Sequence, residues 1–252
     1  RRKRARCGRP VLWKRINTQG FGCGRRIRLG DLTGDGNLDF LCTRWGEPPN
    51  VLAYMAAVDI DGRLLWERGR KPPVPEQERS CDTPVQIHDI DGDGRNEVVC
   101  VMDGRIMILD GATGEERSAA PLPQPESLPE VYKDNTAHWG GGYDEGFSSF
   151  PARAVTFADF AGIGRRSDIV LSGNYHQTVA LSGDLEELWR HVNIRGHYPI
   201  PYRPRGEARD HLLCGFHHLD ADASIVGKVC LQDHQDAIYV GPLDDDGSGP
   251  DT

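Results

Sequence analysis

Between residues 89 and 97 the chain reads Asp89-Ile90-Asp91-Gly92-Asp93-Gly94-Arg95-Asn96-Glu97. Short carboxylates at alternate positions of a tight loop suit Ca²⁺, a hard ion that takes 6–8 oxygens at about 2.3–2.6 Å. Gly92 and Gly94 give the backbone the freedom that wrapping an ion demands. An EF-hand opens similarly, but it needs helices on both sides and a bidentate Glu at position 12. Here that position is Cys100, and the flanks Val85-Gln86-Ile87 and Val98-Val99-Cys100-Val101 are β-branched runs that predict strands. The unit is a metal-type loop within a β-hairpin.

The unit recurs. Asp31-Leu32-Thr33-Gly34-Asp35-Gly36-Asn37-Leu38-Asp39 precedes Phe40-Leu41-Cys42, and a third loop spans Asp159 to Asp168 before Ile169-Val170-Leu171. Asp244 to Asp251 repeats the opening, and Asp210 leads a strand without a loop. The closing acids Asp39, Glu97, Asp168, Asp210 and Asp251 are 58, 71, 42 and 41 residues apart. Periods of this size mark propellers or solenoids. Each unit parses as four strands joined by short turns, many of them Asp-Gly, which is the pattern of a propeller blade. The expectation is an all-β chain of about four and a half four-stranded blades, part of a larger β-propeller. The blades fall at 24–69, 82–120, 151–192 and 196–231, with a partial one at 234–252 and a basic segment at 1–23. Strand Val51–Val58 is predicted in the first unit, His197–Tyr202 opens the fourth, and Asp236–Val240 opens the fifth. A Pro- and Gly-rich insertion covers 118–150. The abrupt start on Arg1 and stop at Thr252 suggest a piece of a longer protein, which leaves strand edges open to association.

The 252 residues carry 30 Gly and 17 Pro, in keeping with many short strands joined by turns. A net charge of −8 argues against nucleic acid as the main partner. No apolar run approaches the roughly 20 residues of a membrane-inserted helix. The seven cysteines form no CxxC pair. Cys42 and Cys100 occupy the same second-strand slot as small apolar filler, and Cys7 and Cys23 could pair if the protein is exported. Trp66 and Trp189 hold equivalent fourth-strand positions and are expected to be buried.

The loops resemble FG-GAP (VCBS) calcium repeats. The segments Leu188-Trp189, Gly196-His197-Tyr198-Pro199, Leu212-Leu213-Cys214-Gly215-Phe216 and Asp233-His234-Gln235-Asp236 resemble the rhamnogalacturonan-lyase-like propellers. That resemblance covers residues 24–252. It implies a secreted, calcium-containing enzyme acting on acidic polysaccharide by β-elimination. The alternative is a non-catalytic FG-GAP module for adhesion or ligand binding, since the repeat itself is not specific for catalysis. Departures are also present: Ala161 and Ile163 stand at ligand positions of the third loop, and Ala223 stands where a turn glycine is usual.

β-Elimination needs a neutralised uronate carboxylate, a base for the C5 proton and an acid for the leaving O4. Histidine suits both proton roles because it titrates near neutrality. The expected catalytic residues are His197, Tyr198, His234 and His176, converging from neighbouring blades. Arg203 and Arg205 are candidate carboxylate clamps. Tyr175, Trp139 and His88 are candidate sugar contacts, while His191 and His211 read as structural or exposed. For the metal, one Ca²⁺ is expected on Asp89, Asp91, Asp93 and Glu97 with the carbonyl of Arg95. Another is expected on Asp31, Thr33, Asp35 and Asp39 with the carbonyl of Asn37. A charged turn without metal is the other reading of each loop, and the third loop is expected to bind none.

Overall fold

The computed structural model describes residues 9–18, 20–24, 26–46, 51–71, 83–124, 152–173, 177–192, 196–229 and 237–241. Sixteen strands form four antiparallel four-stranded sheets, each built from consecutive strands in chain order. The first blade is β1 (Ile27–Gly30), β2 (Asp39–Gly46), β3 (Val51–Val58) and β4 (Leu64–Gly69). The second is β5 (Val85–His88), β6 (Glu97–Met102), β7 (Arg105–Asp110) and β8 (Glu116–Pro121). The third is β9 (Ala152–Ala158), β10 (Asp168–Gly173), β11 (Gln177–Leu181) and β12 (Glu187–Val192). The fourth is β13 (Ile200–Tyr202), β14 (His211–Cys214), β15 (His217–Leu219) and β16 (Ile225–Lys228). First strands touch in succession, β1 to β5, β5 to β9 and β9 to β13, so the sheets stand radially about an axis lined by first strands. This is part of a β-propeller. Among the described residues no helix is long and apolar enough to cross a membrane.

Alternation along each strand supplies the two faces that a blade needs. Leu41, Met55 and Ala57 of blade 1 meet Val85, Val98, Cys100 and Leu109 of blade 2 in one buried cluster. Val99, Val101, Ile106 and Ile108, on the other face of blade 2, meet Ile169, Leu171 and Val179 of blade 3. Val170 and Ala180 then meet Leu212, Cys214 and Leu219 of blade 4. The free face of blade 1 is covered by the stretch around Ile16, Phe21 and Cys23, packed on Cys42, Tyr54, Ala56 and Val58.

Two devices recur from blade to blade. Each third–fourth strand pair shifts register at the same place, between Ala57 and Val58, Ile108 and Leu109, Ala180 and Leu181, and His218 and Leu219. Such a bulge adds twist and turns the outer strand. Trp66 Nε1 donates to the Gly111 carbonyl of blade 2 at 2.8 Å, and Trp189 Nε1 donates to the Ala221 carbonyl of blade 4 at 3.0 Å. Each indole therefore pins its blade to the last turn of the next. Trp66 is buried as expected, whereas Trp189 is half-buried.

Several expectations change. Of the fifth blade's expected opening strand the described residues 237–240 carry no strand, and Tyr239 is 73% exposed. The fourth blade's first strand begins at Ile200 rather than His197, as Pro199 just before it brings no N–H to a ladder. The insertion starts after β8, which extends to Pro121. The closing slot of blade 4 belongs to His211, not Asp210. His211 pairs with Tyr202 as Asp39, Glu97 and Asp168 pair with Gly30, His88 and Ala158. The buried slot of Cys42 and Cys100 is thus also that of Cys214.

The last turn of each blade needs one residue with positive φ: Gly62 (87°), Gly114 (70°), Leu185 (66°) and Ala223 (69°). An L-residue pays roughly 1–2 kcal/mol there that glycine does not. Ala223→Gly should therefore raise unfolding stability by about 1 kcal/mol in a denaturant titration. An unchanged midpoint would show that the turn is not strained.

Candidate functional site

The three complete loops share one architecture. Their positive-φ glycines fall at positions 4 and 6: Gly34 and Gly36, Gly92 and Gly94, Gly162 and Gly164. That backbone folds over the first aspartate, whose oxygens accept from it. Asp31 accepts from Gly34, Asp35 and Gly36, Asp89 from Gly92 and Gly94, and Asp159 from Ile163 and Gly164, at 2.7–3.2 Å. The closing acid is buried and accepts the N–H of the apolar second residue. These bonds are Asp39 to Leu32 (2.8 Å), Glu97 to Ile90 (3.1 Å) and Asp168 to Phe160 (2.7 Å). Leu32, Ile90 and Phe160 are themselves buried, each in the cluster shared with the next blade.

The loops differ in how their remaining charge is met. In the second, oxygens of Asp89, Asp91 and Glu97 lie within 4.8 Å of one another, the one such carboxylate group among the described residues. Arg117 reaches the same group, donating to Glu97 Oε1 at 2.6 Å, Asp91 Oδ2 at 3.3 Å and Asp110 Oδ2 at 2.8 Å. Asp93 Oδ1 accepts from the Arg95 N–H at 2.8 Å. Burial pushes the Glu97 carboxyl up in spite of the Ile90 N–H and the Arg117 charge. In the first loop Asp35 accepts from the Asn37 N–H (2.8 Å), and the Thr33 hydroxyl lies 3.4 Å from Asp39. Its acids are turned towards their own backbone and do not gather as those of the second loop do.

In the third loop, where Ala161 and Ile163 replace polar residues, arginine meets the remaining acids. Arg203 donates to Asp159 at 2.6 Å and to Asp210 at 3.1 Å, Arg166 donates to Asp210 at 2.8 Å, and Asp210 accepts the Asp159 N–H at 3.0 Å. Burial works to raise the Asp159 carboxyl, but the Ile163 and Gly164 N–H groups and Arg203 outweigh it and hold it low. Arg203, expected as a clamp on a substrate carboxylate, has these two aspartates as its partners.

His88, a candidate sugar contact, lies between blades 2 and 3. Its ring stacks on Phe157 at 4.2 Å, and Nε2 bonds the Arg166 carbonyl at 2.7 Å, so it joins blades 2 and 3. His197 and Tyr198 have ring centroids 6.1 Å apart, Tyr198 is 37% exposed, and Arg205 is exposed in the next loop. Their expected companions His176, His234, Tyr175 and Trp139 lie outside the described residues.

Two histidine clusters escaped the sequence reading. On one face of blade 4, His218 Nε2 bonds the Tyr202 hydroxyl at 2.8 Å and His211 Nδ1 at 2.9 Å, and His211 Nε2 bonds Glu207 at 2.9 Å. Towards blade 3, His191 Nε2 bonds His217 Nδ1 at 2.7 Å. The signal was present in the alternation of His211, His217 and His218 with Tyr202, but it needed the strand register to be read.

No known family's sequence profile matches this chain, and no curated protein does. Solved structures do. Rhamnogalacturonan lyase YesW shares 19% identity at a TM-score of 0.59, over 88% of this chain and 45% of the lyase. The Bacillus licheniformis rhamnogalacturonan lyase PL11 shares 18% at 0.58, over 88% and 45%. The fold is one shared with rhamnogalacturonan lyases. The V. cholerae biofilm matrix protein Bap1 also matches, with 18% identity and a TM-score of 0.52 over 84% of this chain and 31% of that one. The chain spans less than half the length of these proteins.

The His191–His217 pair makes stability depend on pH. Burial, then the neighbouring His217, lowers the His191 pKa to about 4, and burial with Lys228 lowers His217. An unfolded histidine titrates near 6.5. Below that pH the unfolded chain takes up protons that the folded pair refuses, so its contribution is full above about 6.5 and fades towards 4. The melting temperature should fall as pH drops from 7 to 4.5, and less steeply in His191→Gln. Equal slopes in the two proteins would contradict this.

Proposed function

We propose that these blades belong to a secreted, carbohydrate-active propeller that cuts a uronate-containing, rhamnogalacturonan-like polysaccharide by β-elimination. The observation that carries this reading is the fold shared with rhamnogalacturonan lyases over 88% of the chain. The repeat is read as FG-GAP-like from its loops. In this proposal His197 takes the C5 proton and Tyr198, beside it, protonates the leaving O4, with His176 and His234 as the further histidines of the site. A positioned base or acid contributes about 10²–10⁴-fold. Arg205 and Arg203 are the proposed contacts of the substrate carboxylate, Arg203 also holding Asp159 and Asp210. Tyr175 and Trp139 are the proposed stacking surfaces.

The acids of the second loop fit a hard cation. Three of their carboxylates converge, and one guanidinium offsets part of the charge. Asp89, Asp91, Asp93 and Glu97, with the Arg95 carbonyl, would hold Ca²⁺, which would supply structural cross-linking of the hairpin. Asp31, Thr33, Asp35 and Asp39, with the Asn37 carbonyl, form the weaker site, because their carboxylates do not converge as those of the second loop do. Calorimetric titration of chelator-stripped protein should show one tight Ca²⁺ that is lost in Asp91→Ala. Absence of heat, with an unchanged melting temperature, would refute the calcium reading.

The activity is tested on rhamnogalacturonan and other uronate polysaccharides by near-ultraviolet absorbance, since elimination leaves a 4,5-unsaturated uronate. His197→Ala and Tyr198→Phe should cut the rate by at least about 10²-fold without lowering the melting temperature. If none of these polysaccharides gives absorbance while one still binds, the blades are a binding module, as the likeness to a biofilm matrix protein would then suggest.

A further inference from the structure

His211 fills the slot that an acid fills in the other three blades. An imidazole there cannot offer two carboxylate oxygens to loop amides, and the connection from β13 to β14 has no acidic loop for it to close. Its side chain instead faces Tyr202, its cross-strand partner, and His218, one strand further out. These three residues lie on the face of blade 4 opposite to Leu212, Cys214 and Leu219, which pack on blade 3. In the preceding blades the position of His218 on this face is apolar, held by Ala57, Ile108 and Ala180. Here two imidazoles and a phenol are brought together, with His211 buried and its partners half-buried.

Their hydrogens do not distribute well. Glu207 lies 2.9 Å from His211 Nε2, and an ionised carboxylate can only accept, so Nε2 carries the proton. In neutral His211 the Nδ1 is then a bare lone pair, and His218 Nε2, 2.9 Å away, must be the donor. The Tyr202 hydroxyl at 2.8 Å from that same Nε2 then meets an N–H instead of a lone pair, and can only share a proton already used. If His218 Nε2 is the acceptor, one lone pair faces both the Tyr202 O–H and a protonated His211 Nδ1. In either assignment one of the three groups must turn to solvent for its partner, whereas a single cation among Nδ1, Nε2 and the phenol oxygen takes a lone pair from each.

We propose that His211 Nδ1, His218 Nε2 and the Tyr202 oxygen bind a divalent first-row transition ion, with Glu207 fixing the His211 tautomer. The separations fit. Ligands at right angles on bonds of about 2.0–2.1 Å lie roughly 2.9 Å apart, which is the observed spacing. Imidazole donors favour Cu²⁺, Ni²⁺ and Zn²⁺ over Ca²⁺, and right-angled donors favour the tetragonal ions, with Cu²⁺ bound most tightly. Glu207 on the far nitrogen completes the carboxylate–histidine–metal arrangement that orients such ligands. Asp220 Oδ1, 3.7 Å from the same nitrogen, adds negative charge nearby. The site is independent of the lyase reading, being defined by nitrogen donors on blade 4.

The test is titration of tag-free, chelator-stripped protein with CuCl₂, followed by calorimetry and by the electron paramagnetic resonance of bound Cu²⁺. One equivalent should bind, with hyperfine structure from two nitrogens. His218→Gln should weaken binding by at least about 100-fold, and Glu207→Gln, on the surface, by about 10–100-fold. His191→Gln, in the other histidine pair, should leave it unchanged. Far-ultraviolet circular dichroism of each variant establishes that it is folded, and Glu207→Gln tests the site should His218→Gln not fold. No saturable Cu²⁺ binding, equal affinity in folded His218→Gln or in Glu207→Gln, or loss in His191→Gln would overturn the proposal.

Discussion

The interaction on which this architecture rests is a buried carboxylate accepting one backbone N–H. Asp39, Glu97 and Asp168 each hold the amide of the second loop residue, and that residue's side chain plugs the core shared with the next blade. An unpaired buried carboxylate would be costly, as would an unpaired buried amide. Each satisfies the other. The apolar side chain of Leu32, Ile90 or Phe160 is thereby fixed in place, so one hydrogen bond sets both the loop and the inter-blade packing.

From that anchor the loops pass contacts from blade to blade on one face. Asn96 of the second loop donates to the Asp31 carbonyl of the first at 2.8 Å, and Arg165 of the third donates to the Asp91 carbonyl of the second. Arg209 donates to the Phe160 carbonyl at 2.6 Å, and Arg203 reaches Asp159. Nearer the axis, Arg28 of β1 donates to the Val85 carbonyl at 2.8 Å, and His88 joins β5 to the third loop. The acidic loops thus serve as fasteners between blades. In the third loop, where Ala161 and Ile163 stand in place of polar residues, guanidinium groups balance the charge of the acids.

Much of this was legible in the sequence because a period-2 pattern and Asp-Gly turns act locally. The strand Val51–Val58 has the bounds that pattern predicts. The positive φ of Ala223 follows from its place in a turn that glycine occupies in the first two blades. What could not be read depends on register. Asp210 looks like a closing acid from its neighbours Leu212 and Leu213, yet it lies one residue early and serves blade 3 instead. A one-residue shift exchanges the faces of a strand, which is why His211 and His218 were not foreseen as a pair. Arg203 was expected to clamp a substrate carboxylate, but sequence cannot say whether the carboxylate an arginine meets is a ligand's or another blade's aspartate.

Native-state hydrogen exchange at Leu32, Ile90 and Phe160 tests the anchoring claim most directly. Amides inside the cooperative core exchange through global unfolding, and those in frayed loops exchange with little protection. These three amides should exchange as slowly as those of β6 and β10, and Asp168→Asn should speed Phe160 far more than Leu32. Rapid exchange of all three, at the rate of the exposed loop amides Gly34 and Gly36, would show that the closing carboxylates do not hold the blades together.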